Sequence, residues 1–317
     1  MGMAIKKFLK LVEIQTKAAS MIPFLFGTVY ALFRFQQFNA YHFVLMLVSL
    51  LSFDMATTAI NNYYDYRKAV KKRGYGYEIH NAIVQYGIKP SVVVVIIAVL
   101  LTLAIGAGII LFLEVGLLLL MLGGLSFAVG ILYSFGPIPI SRMPLGEIFS
   151  GLFMGFVIIF ISAYIHVGDR IASLTLDGGA AVLQVQLVEV ILVFFVSIPA
   201  ILGIANIMLA NNICDMEDDI ENKRYTLPVY IGRSNALILF KMLYYAAYLD
   251  LIVLCVLRVH PVVVALVLLT ILPVRKNMKR FADKPTKQFT FGLSVQNFML
   301  TNAARIAALG IAAMMLP

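Results

Sequence analysis

Charge is what this sequence has least of. Asp, Glu, Lys and Arg make up 13% of its 317 residues, against about a quarter in a soluble domain. That excludes a water-soluble globular fold. Cysteine is also scarce. Cys214 and Cys255 are the two in the chain, and both fall at or in apolar segments. They supply neither a disulfide framework nor a metal-ligand spacing. No secretory leader is read at the N-terminus. Met1-Gly2 does not open a lipidation signal, because Lys6 stands where Ser or Thr is required. No low-complexity run or long linker divides the sequence, so a single domain over residues 1–317 is expected.

What remains is apolar: 62% of the residues are hydrophobic. Only structures that satisfy every backbone hydrogen bond internally cross a bilayer. The expected class is therefore all-α, a polytopic membrane bundle. Nine segments have the length of a crossing helix: 18–36, 41–60, 91–112, 115–134, 145–166, 187–210, 235–257, 260–274 and 290–316. Residues 1–16 interleave Lys6, Lys7 and Lys10 with apolar side chains, the pattern of an interfacial amphipathic helix. The connecting loops divide sharply by charge. One set carries twenty-one Lys and Arg, and the opposite set only Arg34, Arg170 and Arg258. Cations stay on the cytoplasmic side, which predicts a cytoplasmic N-terminus and an odd number of crossings. The net charge of +9 is then explained by loops facing anionic lipid, and no nucleic acid partner is implied.

One motif occurs twice. Asn61-Asn62-Tyr63-Tyr64-Asp65 closes the second segment, and Asn211-Asn212-Ile213-Cys214-Asp215 closes the sixth. Both fall on the cation-rich side. Amides and carboxylates are costly to desolvate without partners, and facing oxygens are what hard divalent cations take as ligands. Asn211, Asp215 and Asp219 are spaced i, i+4, i+8, with Asp218 at i+7, so a continuing helix puts them on one face. Carboxylates that close repel unless a cation lies among them. Asn61, Asn62 and Asp65 repeat the arrangement. Lys68 and Lys72 follow the first motif, and Lys223 and Arg224 follow the second, as candidates for anionic oxygens. The pattern fits one or two Mg2+ ions bridged by a diphosphate. The plainer alternative is a pair of solvated loops whose charges reflect topology.

Other polar residues stand inside apolar segments. Asp54, Glu147 and Arg305 are each read either as part of a structural ion pair or as a substrate contact. Tyr133 and Phe135 close the fourth segment, with Gly136, Pro137 and Pro139.

These motifs resemble the UbiA superfamily of membrane prenyltransferases, and within it the branch that acts on 1,4-dihydroxy-2-naphthoate. The likeness runs from about residue 14 to the C-terminus. It is carried by Asn61-Asn62-Tyr63-Tyr64-Asp65-Tyr66, by Asn211, Asn212, Asp215, Asp219, Arg224, Thr226 and Leu227, and by Tyr133, Gly136-Pro137 and Leu145-Gly146-Glu147. There are departures. Asn62 replaces the branch's usual Asp, Lys71 falls near its third acid, and Lys223 stands in place of a Gly. Glu78 is a candidate substitute for the missing acid.

The resemblance implies a Mg2+-dependent transfer of a polyprenyl group from polyprenyl diphosphate to an aromatic acid. For this branch the acid is 1,4-dihydroxy-2-naphthoate, and the ring carboxylate is lost. It also implies a metal set of Asn61, Asn62, Asp65, Asn211, Asp215 and Asp219. The diphosphate would fall to Lys68, Lys72, Lys223, Arg224, Asn62 and Asn211. Tyr63, Tyr64, Tyr133 and Phe135 are the rings available to shield an allylic cation. Asp65, Asp215, Asp219, Lys223, Arg224 and Tyr133 are the expected catalytic residues, on the cytoplasmic side of a bacterial cell membrane. Two alternatives stay open. One is a different aromatic acceptor, such as 4-hydroxybenzoate or homogentisate. The other is a cation-coupled transporter, although such proteins hold their acids near mid-membrane.

Overall fold

The computed structural model describes residues 2–68, 81–134 and 139–315. In chain order it contains α1 (Gly2–Leu11), α2 (Ala18–Phe35), α3 (Ala40–Lys68), α4 (Ala82–Tyr86), α5 (Pro90–Val115), α6 (Leu117–Ser134) and α7 (Gly146–Arg170). A hairpin of β1 (Ala172–Asp177) and β2 (Ala180–Val185) follows, then α8 (Leu187–Cys214), α9 (Met216–Glu221), α10 (Leu227–Ile231), α11 (Arg233–Val256), α12 (Pro261–Asp283) and α13 (Gly292–Met314).

Among the described residues, seven helices are long and apolar enough to cross a membrane: α2 with the turn before it, α3, α5, α7, α8, α11 and α12. The chain is a polytopic helical membrane protein. All nine segments expected from the sequence are helical. Of the two outside the seven, α6 is apolar but shorter, and α13 carries Gln296, Asn297, Asn302 and Arg305 along its 23 residues.

Two boundaries differ from expectation. The eighth segment does not stop at residue 274 but runs as helix to Asp283. Val274, Met278 and Phe281 are buried at i, i+4, i+7, while Arg275, Lys276, Lys279 and Arg280 are exposed. The basic run is thus one face of an amphipathic helix rather than a loop. Residues 172–185 form an antiparallel hairpin, with Ala172 opposite Val185 and Asp177 opposite Ala180. Gly178 and Gly179 make its turn with φ of 53° and 85°, the left-handed region that tight hairpins require.

The chain divides into two compact units, Met1–Met21 with Val44–Glu114, and Ile22–Phe43 with Val115–Pro317. In the first, Leu11 is buried with Ala59, Ala82, Ile83 and Val93, and Val12 with Ala56 and Leu100. The α1 segment is therefore anchored at its C-terminal end. Lys17 and Asp54 pair at 2.6 Å, and Lys17 also donates to Thr58 Oγ1 at 2.7 Å. The lone acid of the second segment is thereby accounted for as a structural ion pair. Asn81 caps α4 by accepting from Ile83 N at 3.0 Å, and Pro90 starts α5 where its missing N–H costs nothing.

In the second unit, α8 runs against α7 at two glycines. A Cβ on Gly155 would lie 2.5 Å from Ile201 Cα, and one on Gly151 would lie 2.7 Å from Ile201 O. Small residues let helices approach where apolar burial gives no net drive. Between Gly151 and Val157 the helix takes a π turn. At the far end of α8, Leu209, Ala210 and Ile213 bury against Phe240 and Tyr244 of α11 and Val274, Met278 and Phe281 of α12. The Phe240 and Phe281 rings lie 4.7 Å apart, a contact worth about 0.5–1.5 kcal/mol beyond area burial. This core fixes the α8 terminus beside the turn that follows α12.

Candidate functional site

The second motif stands on the last turn of α8. At about 1.5 Å per residue its 28 residues span about 42 Å, well beyond a hydrocarbon core of about 30 Å. Its last turn carries Asn211, and Asp215 follows as the C-cap residue. The helix pauses at Asp215 and resumes as α9, with Asp219 N donating to Asp215 O at 2.8 Å. That pause leaves Asp218 exposed and Asp219 buried.

Asp215 and Asp219 each have a cationic partner. Lys287, in the turn between α12 and α13, donates to Asn211 Oδ1 and to Asp215 Oδ2, both at 2.5 Å. Asn211 Nδ2 also donates to Asp215 Oδ2 at 3.2 Å. Asp219 lies 3.4 Å from Arg224 Nε and accepts from Thr226 Oγ1 at 3.0 Å. Arg224 is oriented from the other side by donating to Ser141 O at 3.3 Å. Burial pushes the Asp219 carboxyl above the usual carboxylate range, against the pull of Arg224 and Thr226. Lys223 is exposed in a left-handed conformation at φ 54°.

Two further polar contacts join α6, α7 and α8. Asn212 donates to Glu147 Oε1 at 2.9 Å, and Glu147 Oε2 has no hydrogen-bond partner among the described residues. The Tyr133 hydroxyl accepts from Ser150 at 3.1 Å and donates to Met208 Sδ at 3.4 Å. Tyr133 is thereby fixed between α7 and α8.

The first motif stands at the end of α3, in the first unit. Asn61, Tyr64 and Asp65 are exposed. Asn62 is buried, and its Nδ2 donates to Leu11 O at 3.0 Å and to Glu13 Oε1 at 3.3 Å. Its amide nitrogen thus ties α3 to the end of α1. Tyr63 packs against the Leu11–Ala82 cluster. Lys72, Glu78, His80, Phe135, Gly136 and Pro137 lie outside the described residues, as does the Lys68 side chain.

A family model described as the UbiA prenyltransferase family matches residues 20–297. The chain belongs to this family. The prenyltransferase is 32% identical over 234 residues to 1,4-dihydroxy-2-naphthoate octaprenyltransferase of Bacillus subtilis (strain 168), covering 74% of this chain and 68% of the relative. Its fold matches an apo UbiA homolog from Aeropyrum pernix K1, with TM-score 0.65 and 20% identity over 94% of this chain and 98% of that one. It also matches a UbiA homolog from Archaeoglobus fulgidus bound to DMAPP and Mg2+, with TM-score 0.61 and 16% identity over 98% and 100%.

The residues of the second unit suit a hard cation. Asn211 Oδ1 and Asp215 Oδ2 already converge on one positive group, the Lys287 ammonium. No cluster of three or more His, Cys, Asp or Glu gathers among the described residues. The oxygens that do converge are one amide and one carboxylate, and Mg2+ usually takes one or two carboxylates plus substrate oxygens. Two partners were not anticipated from the sequence. Lys287 is remote from the motif along the chain, and the sequence offers no clue beyond its side of the membrane. Asp250 forms a buried pair with Arg305.

Proposed function

We propose that this prenyltransferase transfers a polyprenyl group from polyprenyl diphosphate to 1,4-dihydroxy-2-naphthoate, with loss of the ring carboxylate, yielding demethylmenaquinol. The observation that carries the reading is the convergence of the Asn211 and Asp215 oxygens on one cationic position, beside Asp219 and Arg224. The naphthoate acceptor rests on the likeness to the Bacillus relative.

The metal set in this proposal is Asp215, Asp219 and Asn211, with Asp65, Asn61 and Asn62 included on the strength of the repeated motif. When bound, Mg2+ supplies charge neutralisation to the diphosphate leaving group. Arg224 and Lys223, with Lys68 and Lys72, take diphosphate oxygens as charge-assisted donors. Arg224 is suited to this because its Nη2 is anchored on Ser141 O and its Nε lies 3.4 Å from Asp219. Fixed donors stabilise developing charge without reorganising. Tyr133 presents a ring held by Ser150 and Met208, and Tyr63 and Tyr64 are further rings for an allylic cation. A site in a membrane protein also keeps water from that cation. The proposal includes nine crossings of a single domain in a bacterial cell membrane, with the N-terminus and the motifs facing the cytoplasm.

The test uses purified full-length protein in nanodiscs with Mg2+, a polyprenyl diphosphate and a panel of aromatic acids, read by product mass. A decarboxylated prenyl naphthalenediol is expected. Product only from 4-hydroxybenzoate or homogentisate would overturn the naphthoate assignment. Asp65→Ala and Asp215→Ala are each expected to abolish product while remaining inserted. Turnover retained in either removes that residue from the metal set.

A further inference from the structure

Lys287 counts among the topological cations of the sequence, yet its ammonium sits on the two oxygens that the second motif offers to a metal. We propose that Lys287 is a movable counter-ion of this site. It neutralises Asp215 while no divalent cation is bound, and it transfers to a diphosphate oxygen when one is. The proposal rests on the function proposed above and adds a residue and a coupling to it.

The geometry supports exchange rather than coexistence. Nζ lies 2.5 Å from both Asn211 Oδ1 and Asp215 Oδ2. A divalent ion taking the same two oxygens would stand against the ammonium, and like charges at that range repel strongly. Lysine therefore leaves when metal arrives. It has somewhere to go. The ammonium has three donors, two are in use, and its side chain is 50% exposed. Its four-carbon stem is flexible.

The backbone below the stem is not free to follow. Thr286 N donates to Thr290 Oγ1 at 2.8 Å, Phe291 N to Thr286 O at 3.0 Å, and Thr290 Oγ1 to Lys284 O at 2.8 Å. Phe291 packs on the core formed by α8, α11 and α12, with its ring 5.7 Å from the lysine nitrogen. A pinned turn with a mobile charged head describes a pivot. Arg224 is a useful contrast. It donates from Nη2 to Ser141 O, with Nε 3.4 Å from Asp219, and it leaves the Asn211 and Asp215 oxygens to Lys287.

Coupling follows from the exchange. Without diphosphate, Lys287 competes with metal for Asp215. With diphosphate, the displaced ammonium gains a new anion, and the competition disappears. Each ligand therefore raises affinity for the other, and by equal factors.

The test measures Mn2+ binding to full-length protein in nanodiscs by electron paramagnetic resonance, with and without inorganic diphosphate at equal free Mn2+. Wild type is expected to bind Mn2+ weakly alone and more tightly with diphosphate. Lys287→Met should tighten binding without diphosphate by about tenfold, within the usual range of coupling, and should shrink the gain from diphosphate. Lys287→Gln serves as a second neutral variant should the first fail to insert. Lys287→Arg should keep the coupling, and Asp215→Asn should remove the binding in every background. If Asp215-dependent binding is present but unchanged in Lys287→Met, the counter-ion role is overturned and the proposed function stands. If no Asp215-dependent binding occurs in any variant, the metal site itself fails.

Discussion

Asp250 meets Arg305 through two parallel contacts, Nε to Oδ2 and Nη2 to Oδ1, each 2.6 Å, with neither side chain reaching solvent. The guanidinium also donates to Thr301 O and Ala247 O and lies 5.0 Å from the Tyr248 ring. The pair is thus fully engaged within the structure. Removing one partner strands a buried charge, at a cost of about 3–5 kcal/mol. Arg305→Met is expected to lower the thermal midpoint sharply in detergent. Adding Asp250→Leu should recover most of the loss, because the uncompensated charge is gone. A double variant no more stable than Arg305→Met would contradict this account.

Asn212 and Glu147 give a second buried relationship. Among the described residues the carboxylate has one side-chain partner and an oxygen with none. Asn212→Leu should destabilise by roughly 1–3 kcal/mol, the cost of an unsatisfied buried polar group. Glu147→Gln in that background should restore stability in part, since a neutral amide is cheaper to bury than a carboxylate. Thermal unfolding followed by intrinsic fluorescence reads both.

Asp218 and Asp219 are neighbouring acids of α9 in opposite surroundings, the first exposed and the second buried. Thr226 donates to the buried Asp219, and a hydrogen bond to a charged group contributes about 1.5–3 kcal/mol. Thr226→Val should therefore raise the prenyl diphosphate KM by roughly tenfold. Asp218→Ala removes an exposed acid, and its kinetics should stay within about twofold of wild type, as for surface substitutions generally.

Gly155 has no room for a methyl group against Ile201. Gly155→Ala should force α7 and α8 apart and cost about 1–3 kcal/mol, as overpacking does. Since α8 carries Asn211 on its last turn and ends at Asp215, activity should fall along with stability. Gly106→Ala, on α5 with nothing within 4 Å of its new methyl group, is the matched control.

Helix positions and the second motif are legible in the sequence because they rest on local periodicity. Apolar runs set the helices, and the i, i+4, i+8 spacing sets the face holding Asn211, Asp215 and Asp219. Asp218 departs from that face because α8 and α9 break at Asp215, a detail of one residue's backbone. Lys287 and Asp250 are not legible. Each acts on a residue more than fifty positions away; the charge of Lys287 reads equally well as topology, and Asp250 lies inside an apolar segment with no motif around it. Local signal was available for the hairpin in Asp177-Gly178-Gly179, flanked by alternating apolar residues. Asn62 shows a different limit. Its place in a metal-type motif says nothing of Leu11 O, which its amide reaches.

Asp215 and Asp219 each have an internal positive partner, Lys287 and Arg224, so the mouth of the second unit is electrically settled without any bound ion. Sites held together by metal come apart in chelators. This one should keep its melting behaviour in EDTA, even where the proposed transfer reaction stops.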